Sequence, residues 1–225
     1  MTKLIMRATI LCIILLNLSA AEQNTKQNID WGKIRKAYEA YCRFPSADNA
    51  NDILVALPEK LDLNPVDFEQ YVSISKYIYY GEPFKVLANL VKKGDRFALR
   101  VTYRTLEISD GAYAEGLCSI LGTGIRVNAI LFLEETKIFS KNKQDIFSPN
   151  STLDSVLSGQ IDADEYRPEV VNKEVQLRIS SLKTVDRPDL LELRDICISK
   201  LKESLKNRGG GEEKYEESVH LKEVV

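Results

Sequence analysis

Histidine is almost absent from this sequence: the 225 residues contain one, His220, close to the C-terminal end of the chain. A Ser-His-Asp triad, a Cys-His pair and a metal site built from several histidines are therefore excluded. Most hydrolytic mechanisms depend on such groups, so the sequence disfavours a hydrolase.

The sequence also has no excess of positive charge, with 31 lysines and arginines against 33 aspartates and glutamates. Residues 1–21 hold two of the basic residues, Lys3 and Arg7, and no acid, so the rest of the chain has 29 basic and 33 acidic residues. A nucleic-acid binder relies on a positive field around the phosphates. We therefore expect no nucleic-acid partner, and no motif predicts a cofactor.

The apolar run near the N-terminus, Ala8–Leu16, is too short to span a membrane, since it is about half of the roughly 20 residues that a transmembrane helix needs. It follows a basic start and precedes small residues at positions 19–21. This layout is typical of a secretory signal peptide. We expect cleavage after Ala20 or Ala21, export to the periplasm or the medium, and no permanent membrane span. A buried first helix is the alternative, because it has a similar pattern over so short a stretch.

Cysteine is scarce, and only Cys42, Cys118 and Cys197 lie beyond the predicted signal peptide. An odd number leaves at least one thiol unpaired, although export permits disulfides. Cys118 and Cys197 have apolar neighbours, which is typical of buried cysteines. We interpret all three as buried thiols, with one disulfide as the alternative. A nucleophilic cysteine is disfavoured because no histidine can activate it.

Apolar residues at helical spacing run through the chain beyond the signal peptide, with proline, glycine, aspartate or asparagine at the breaks. A polar stretch at 140–150 interrupts the pattern. The predicted helices are 30–43, a short one around 53–57, 65–80, 82–93, 95–109, 110–124, 125–139, 170–182 and 190–205. In the helix at 95–109 the apolar residues form two stripes, which predicts a helix packed on both sides.

Segments 65–94 and 95–124 are each 30 residues long and match one another, and a weaker copy lies about 33 residues upstream. Helix pairs repeated at this length are typical of an α-solenoid. We predict an all-α fold, a short α-solenoid of antiparallel helix pairs, capped by the two C-terminal helices. The matched positions are Ile78 with Ile108, Gly81 with Gly111, Leu87 with Leu117, Leu90 with Ile120, Val91 with Leu121, and Gly94 with Gly124.

One part of the repeat resembles a known architecture over about residues 65–135. The residues that carry the resemblance are Asp110-Gly111, Leu117, Leu121-Gly122, Arg126 and Ala129. This pattern resembles the second helix and the following turn of HEAT-type repeats. The resemblance implies an α-solenoid architecture.

These patterns divide the chain into three parts. Residues 1–21 form the predicted signal peptide, and residues 30–206 form a single helical-repeat domain. Residues 207–225 contain three consecutive glycines and the acidic run Glu212–Glu217, and are predicted to be a flexible acidic tail.

Two groups of carboxylates are candidate sites. The loop Asp162–Glu165 could hold a cation but lacks the other ligands and the glycine of an EF-hand, so a solvated loop is favoured and no metal site is predicted. Glu134 and Glu135 could act in acid or base catalysis. Adjacent helical residues point about 100° apart, however, so catalysis is disfavoured.

The tyrosines are the most informative feature, because eight of the ten lie between positions 38 and 113. On the helix at 65–80, Tyr77 and Tyr80 project away from the side that carries Phe68 and Tyr71. Tyrosines off the core face are typical anchors of protein interfaces. We predict Tyr77 and Tyr80 as partner contacts, with packing against a neighbouring repeat as the alternative.

Together these features predict an exported, non-enzymatic helical-repeat module that binds another protein, whose identity the sequence does not give. Two alternatives stay open. One is an envelope-associated structural protein without a compact ligand site. The other is an enzyme that acts without histidine, through carboxylates such as Glu134 with Asp110.

Overall fold

The computed structural model of the protein describes residues 29–59, 61, 65–109, 111–140, 156–157 and 167–208. Within these ranges every regular element is a helix, which confirms the all-α prediction. The predicted signal peptide, the Asp162–Glu165 loop, Asp110 and the acidic run of the tail lie outside the described residues.

Nine α-helices and one short 3₁₀ turn form the described part of the chain. The turn, Pro188–Leu190, leads directly into the last helix. The helices are α1 Trp31–Arg43, α2 Ala47–Ala56, α3 Pro65–Tyr80, α4 Glu82–Lys92, α5 Arg96–Glu107, α6 Gly111–Val127, α7 Ala129–Ser140, α8 Pro168–Lys183 and α9 Leu191–Asn207.

Side-chain caps fix the starts of several helices. Asp30 accepts a hydrogen bond from the backbone N–H of Lys33 at 2.9 Å, and Asp95 accepts one from Ala98 at 2.7 Å. Asn128 accepts one from Leu131 at 3.0 Å and so separates α7 from α6. Each cap satisfies an amide that has no partner within its own helix.

The end of α6 differs from the prediction, which placed it at Gly122–Gly124. The helix continues to Val127, and both glycines are buried inside it. A Cβ atom at Gly122 would lie 2.3 Å from Cζ of Arg178, and one at Gly124 would lie 2.8 Å from Cδ1 of Leu99. These glycines therefore permit close packing of neighbouring helices and do not end α6.

The helix α5 lies at the centre of the protein and contacts α2, α4, α6 and α7. Residues from both of its predicted apolar stripes are buried, including Val101 and Ile108 from one stripe and Leu99 and Tyr103 from the other. The prediction of a helix packed on both sides is confirmed.

Eight of the described helices, α5 among them, pack in two rows. In the first row α1 contacts α4, α4 contacts α6, and α6 contacts α8. In the second row α2 contacts α5, α5 contacts α7, and α7 contacts α9. Consecutive helices α1 and α2, α4 and α5, α6 and α7, and α8 and α9 join the rows.

The glycine-matched repeat does not correspond to equivalent positions in the structure. Gly94 has φ +77° in the turn after α4, whereas its match Gly124 lies inside α6. Gly81 lies between α3 and α4 with φ −97°, whereas Gly111 is the first residue of α6 and has φ +48°. In addition, α3 packs on α1, α4 and α6 and stands outside the two rows, whereas its predicted counterpart α5 belongs to the second row.

Candidate functional site

Four aromatic rings meet where α3 turns into α4, beside the start of α6. We call Tyr79, Tyr80, Phe84 and Tyr113 the aromatic cluster. The ring centre of Tyr79 lies 5.2 Å from that of Tyr80, 4.9 Å from that of Phe84 and 5.1 Å from that of Tyr113. The rings of Tyr80 and Tyr113 are 6.0 Å apart, at an angle of 68°. These are the tilted and edge-to-face arrangements that aromatic pairs prefer.

Two glycines allow the rings to approach one another. A Cβ atom at Gly81 would lie 2.1 Å from the backbone oxygen of Tyr77, so the tight turn between α3 and α4 requires glycine. A Cβ atom at Gly116 would lie 2.2 Å from the hydroxyl oxygen of Tyr79. The side chain of Tyr79 therefore packs directly against the backbone of α6.

Tyr80 is the exposed member of the cluster. Its relative exposure is 70%, although its ring contacts those of Tyr79 and Tyr113. A large side chain in this position offers contact area to another molecule while its neighbours restrict its orientation. The other three rings are only partly exposed.

Tyr77, which was predicted together with Tyr80, has different surroundings. It is partly buried against the core, and the guanidinium carbon of Arg35 on α1 lies 4.5 Å from its ring centre. Burial raises the pKa of the Tyr77 hydroxyl. The structure thus separates the two predicted residues: Tyr77 packs between α3 and α1, and Tyr80 projects outward.

Sequence reasoning missed the other three rings as members of one site. Phe84 follows Gly81 by three residues, and Tyr113 follows Gly111 by two. The sequence signal for these two rings is an aromatic residue in the first helical turn after a glycine that interrupts the helical pattern. The first turn of α4, with Phe84, and the first turn of α6, with Tyr113, come together only because α4 packs against α6. No local sequence pattern predicts that packing.

A small apolar cavity of about 10 Å³ lies beneath the cluster. Thr105 and Ser109 line this cavity, and both of their hydroxyl groups already have hydrogen-bond partners. Thr105 Oγ1 is hydrogen-bonded to the Tyr38 hydroxyl, and Ser109 Oγ donates to the backbone oxygen of Thr105. A space of this size holds about one water molecule, so it offers no small-molecule site. The cluster is therefore an outer surface, not the mouth of a ligand pocket.

The two carboxylates considered for catalysis are held by arginines. Glu135 is 2% exposed and accepts hydrogen bonds from Arg96 Nη1 at 3.0 Å and from Arg100 Nε and Nη2 at 2.7 and 2.9 Å. Glu134 accepts hydrogen bonds from Arg96 and from Arg187. The bond from Arg96, together with that from Arg187, lowers the pKa of Glu134. A carboxylate held ionised in this way is poorly suited to donate a proton near neutral pH.

The three cysteines that the structure describes are free thiols. Cys118 and Cys197 are buried, and Cys42 is partly exposed, unlike the predicted buried thiol. Burial raises the pKa of Cys42 to about 11 and that of Cys118 and Cys197 to about 12. Elevated thiol pKa values are opposite to those of nucleophilic cysteines.

No group of histidine, cysteine and carboxylate side chains suited to a metal ion occurs among the residues that the structure describes. The same part of the chain contains no helix with the length and apolar character needed to cross a bilayer. Comparisons of the chain with protein-family models, curated proteins and solved structures find no match.

Proposed function

We propose that this chain is an exported, non-enzymatic helical-repeat module that binds another protein through the aromatic cluster, with Tyr80 as the central contact. The observation that carries the proposal is the 70% exposure of Tyr80 in a ring cluster that holds it in place. Tyrosine at such a position has a broad apolar ring for packing and a hydroxyl that can hydrogen-bond to the partner.

The cluster lowers the entropic cost of binding. Tyr79 packs on Gly116 and contacts Tyr80, Phe84 and Tyr113, so the rings have little freedom to lose when a partner arrives. Binding energy concentrates in such anchors, whereas flexible side chains must first be ordered. Arg35 stacks on Tyr77, which precedes Tyr80 by three residues on α3.

The helix packing supports a solenoid description. The first row, α1, α4, α6 and α8, and the second row, α2, α5, α7 and α9, together resemble a stack of four helix pairs, with α3 as an additional helix. In this proposal α8 and α9 cap the stack, as the sequence predicted. Solenoids present extended surfaces to protein partners, which agrees with a binding function.

Export is part of the proposal and rests on the sequence of residues 1–21. The mature chain is expected to begin at Ala21 or Glu22. Intact-mass measurement of the protein recovered from outside the cytoplasm tests this. A mass that still includes Met1 contradicts the signal peptide.

Site-specific photo-crosslinking tests the binding surface. A photoreactive phenylalanine derivative replaces Tyr80 in one variant and Phe68 in a matched control. Both residues lie on α3 and are exposed, but Phe68 lies outside the cluster. We expect the derivative at position 80 to crosslink one defined protein in the compartment that contains the mature chain, and the derivative at position 68 not to do so.

The crosslinked protein then serves as the probe for affinity. Replacing Tyr80 with alanine should weaken its binding by about 2 kcal/mol, the loss typical of a central aromatic anchor. Phe68→Ala should leave the affinity unchanged. Equal crosslinking at both positions, or an affinity unaffected by Tyr80→Ala, would show that the aromatic cluster is not the binding site.

A further inference from the structure

The opposite ends of α4 and α6 carry a second surface with a different chemistry. Lys92 and Lys93 close α4, Arg126 lies in the last turn of α6, and Lys183 ends α8. All four cationic side chains are exposed. We call the basic end surface the group of Lys92, Lys93, Arg126, Lys183, Val127 and Ile130.

Contacts between the three helix ends make this surface continuous. A Cβ atom at Gly94, just after Lys93, would lie 3.8 Å from Cγ1 of Val127. The hydroxyl of Ser181 donates a hydrogen bond to the backbone oxygen of Arg126 at 3.1 Å, two residues before Lys183. The ends of α4 and α8 therefore flank the end of α6.

Favourable interaction with the helix dipole accounts for single cations in last turns. It does not account for the apolar residues among them. Val127 is 41% exposed and Ile130 is 38% exposed. Two nearby carboxylates of the described residues already have partners: Glu174 lies 3.6 Å from Arg126 but also pairs with the buried Arg178, and the carboxylate of Asp95 caps α5. An acidic segment that also carries apolar side chains is complementary to this surface.

The sequence of this chain contains a segment with that chemistry. Glu212–Glu217 has four glutamates, one lysine and, in the middle, Tyr215. Val219 and Leu221 follow it. Its charge and its aromatic residue match the cations and the exposed aliphatic residues of the basic end surface.

Chain length favours a second molecule as the source of this segment. Arg194, in the first turn of α9, donates a hydrogen bond to the backbone oxygen of Val185, so α9 begins beside Lys183. The 17 residues of α9 then carry the chain about 25 Å away. The nine residues 209–217 span about 30 Å only when fully extended. The acidic run of the same molecule thus reaches the surface only when stretched, and a second copy has no such limit.

We propose that the segment Glu212–Glu217 of a second copy of this chain binds the basic end surface. The basic end surface of one molecule meets the tail segment of another, so the interface is head-to-tail and can continue from molecule to molecule. It lies at the opposite ends of α4 and α6 from the aromatic cluster and is independent of the function proposed above.

The test uses three variants of the full chain. The surface variant is Lys92→Ala, Lys93→Ala and Arg126→Ala. The tail variant is Glu212→Gln, Glu213→Gln, Glu216→Gln and Glu217→Gln. The control removes three exposed cations of α1 and α3 by Lys33→Ala, Lys36→Ala and Lys76→Ala.

Sedimentation velocity at low ionic strength measures association, because screening by salt weakens contacts between exposed charges. We expect the unmodified chain and the control to self-associate as concentration rises. The surface variant and the tail variant should each associate at least about tenfold more weakly, from the loss of several exposed ion pairs. Thermal melting by circular dichroism confirms that all variants are folded.

Mixing provides the decisive observation. The surface variant retains an intact tail and the tail variant an intact surface, so the mixture should form a 1:1 complex and nothing larger. An unmodified chain that stays monomeric overturns the proposal, and so does a surface variant that associates like the unmodified chain. If the unmodified chain is monomeric while the tail variant binds a synthetic peptide of residues 212–225, the segment binds within its own molecule and the second-copy proposal is wrong.

Discussion

Arg100 on α5 donates two hydrogen bonds to the carboxylate of Glu135 on α7, from Nε at 2.7 Å and from Nη2 at 2.9 Å. Glu135 is 2% exposed, and Arg96 donates a third hydrogen bond to it at 3.0 Å. The hydrogen bonding of Arg100 to Glu135 raises the pKa of Arg100. The two helices belong to the second row, so these bonds fix the contact between consecutive members of that row.

Replacing Glu135 with alanine should lower the free energy of unfolding by about 2 kcal/mol, because Arg96 and Arg100 lose a buried acceptor. The partial exposure of both arginines keeps the loss below that of a fully buried pair. Glu39→Ala, which removes an exposed pair with Arg35, should cost less than about 1 kcal/mol. Chemical denaturation at neutral pH measures both, and equal losses would contradict a structural role for Glu135.

Tyr77 and Tyr80 should respond differently to substitution by alanine. Tyr80→Ala should lower stability by less than about 1 kcal/mol, since the side chain is mostly exposed and loses only its ring contacts with Tyr79 and Tyr113. Tyr77→Ala should cost about 1 to 2 kcal/mol, because the ring packs partly against the core and receives Arg35 on its face. Thermal and chemical unfolding of the two single variants provide the comparison. A large loss for Tyr80→Ala would show that its ring supports the fold.

Gly116→Ala should disturb the aromatic cluster. The added Cβ atom would lie 2.2 Å from the hydroxyl oxygen of Tyr79, so that ring must move, at a cost of about 1 to 3 kcal/mol. Gly32→Ala on α1 is the matched control, because its Cβ atom meets only Asp30 Oδ1 at 3.4 Å. That change should stabilise α1 by about 0.5 to 1 kcal/mol.

Near-ultraviolet circular dichroism, which reports on the packing of aromatic rings, should change in Gly116→Ala and not in Gly32→Ala. An unchanged spectrum and unchanged stability for Gly116→Ala would mean that Tyr79 does not pack on α6 as the structure describes.

Sequence signals that act within a single helical turn predicted the starts of helices well. Asp30 and Asp95 cap α1 and α5 as their positions indicated, and Pro83 lies in the first turn of α4. Such signals are contained in four or five consecutive residues, so the sequence alone shows them.

Features that depend on distant residues are not contained in such short stretches. Gly122 looks like a helix stop by its neighbours, but it faces Arg178 on a helix that begins more than 40 residues later. Helical spacing likewise places both Tyr77 and Tyr80 off the core face, whereas in the structure Tyr77 is partly buried and stacks with Arg35 of α1. In both cases the deciding contact comes from another helix, and periodicity within one helix carries no information about it.

Acid should weaken the ion pairs around Glu134. Hydrogen bonds from Arg96 and Arg187 lower the pKa of this carboxyl from its usual value of 4.5. Its contribution to stability is therefore fully present above about pH 4.5 and is lost as the pH falls through the lowered pKa of the folded state. Glu134→Gln should be less stable than the unmodified chain at neutral pH, and this difference should shrink in acid.

The difference in stability between the unmodified chain and Glu134→Gln is measured by the denaturation midpoints of both proteins. The pH range runs from neutral to below the pKa of Glu134. Glu39→Gln serves as the control, since its pair with Arg35 is exposed. If the difference between the unmodified chain and Glu134→Gln stays constant across the range, the carboxyl does not titrate at a lowered pKa.

In a chain that begins at Glu22, the three remaining cysteines, Cys42, Cys118 and Cys197, should react slowly with iodoacetamide at pH 8. The pKa of Cys42 is about 11, so about one thiol in a thousand is ionised at that pH, and Cys118 and Cys197, at about 12, ionise less still. Cys42 is also partly exposed, whereas the other two are buried. Intact-mass spectra over time should show one slow addition, at Cys42, and three additions after unfolding in denaturant. Rapid modification of Cys118 or Cys197 in the folded chain contradicts their burial, and fewer than three additions after unfolding without reductant would show that two of the thiols form a disulfide.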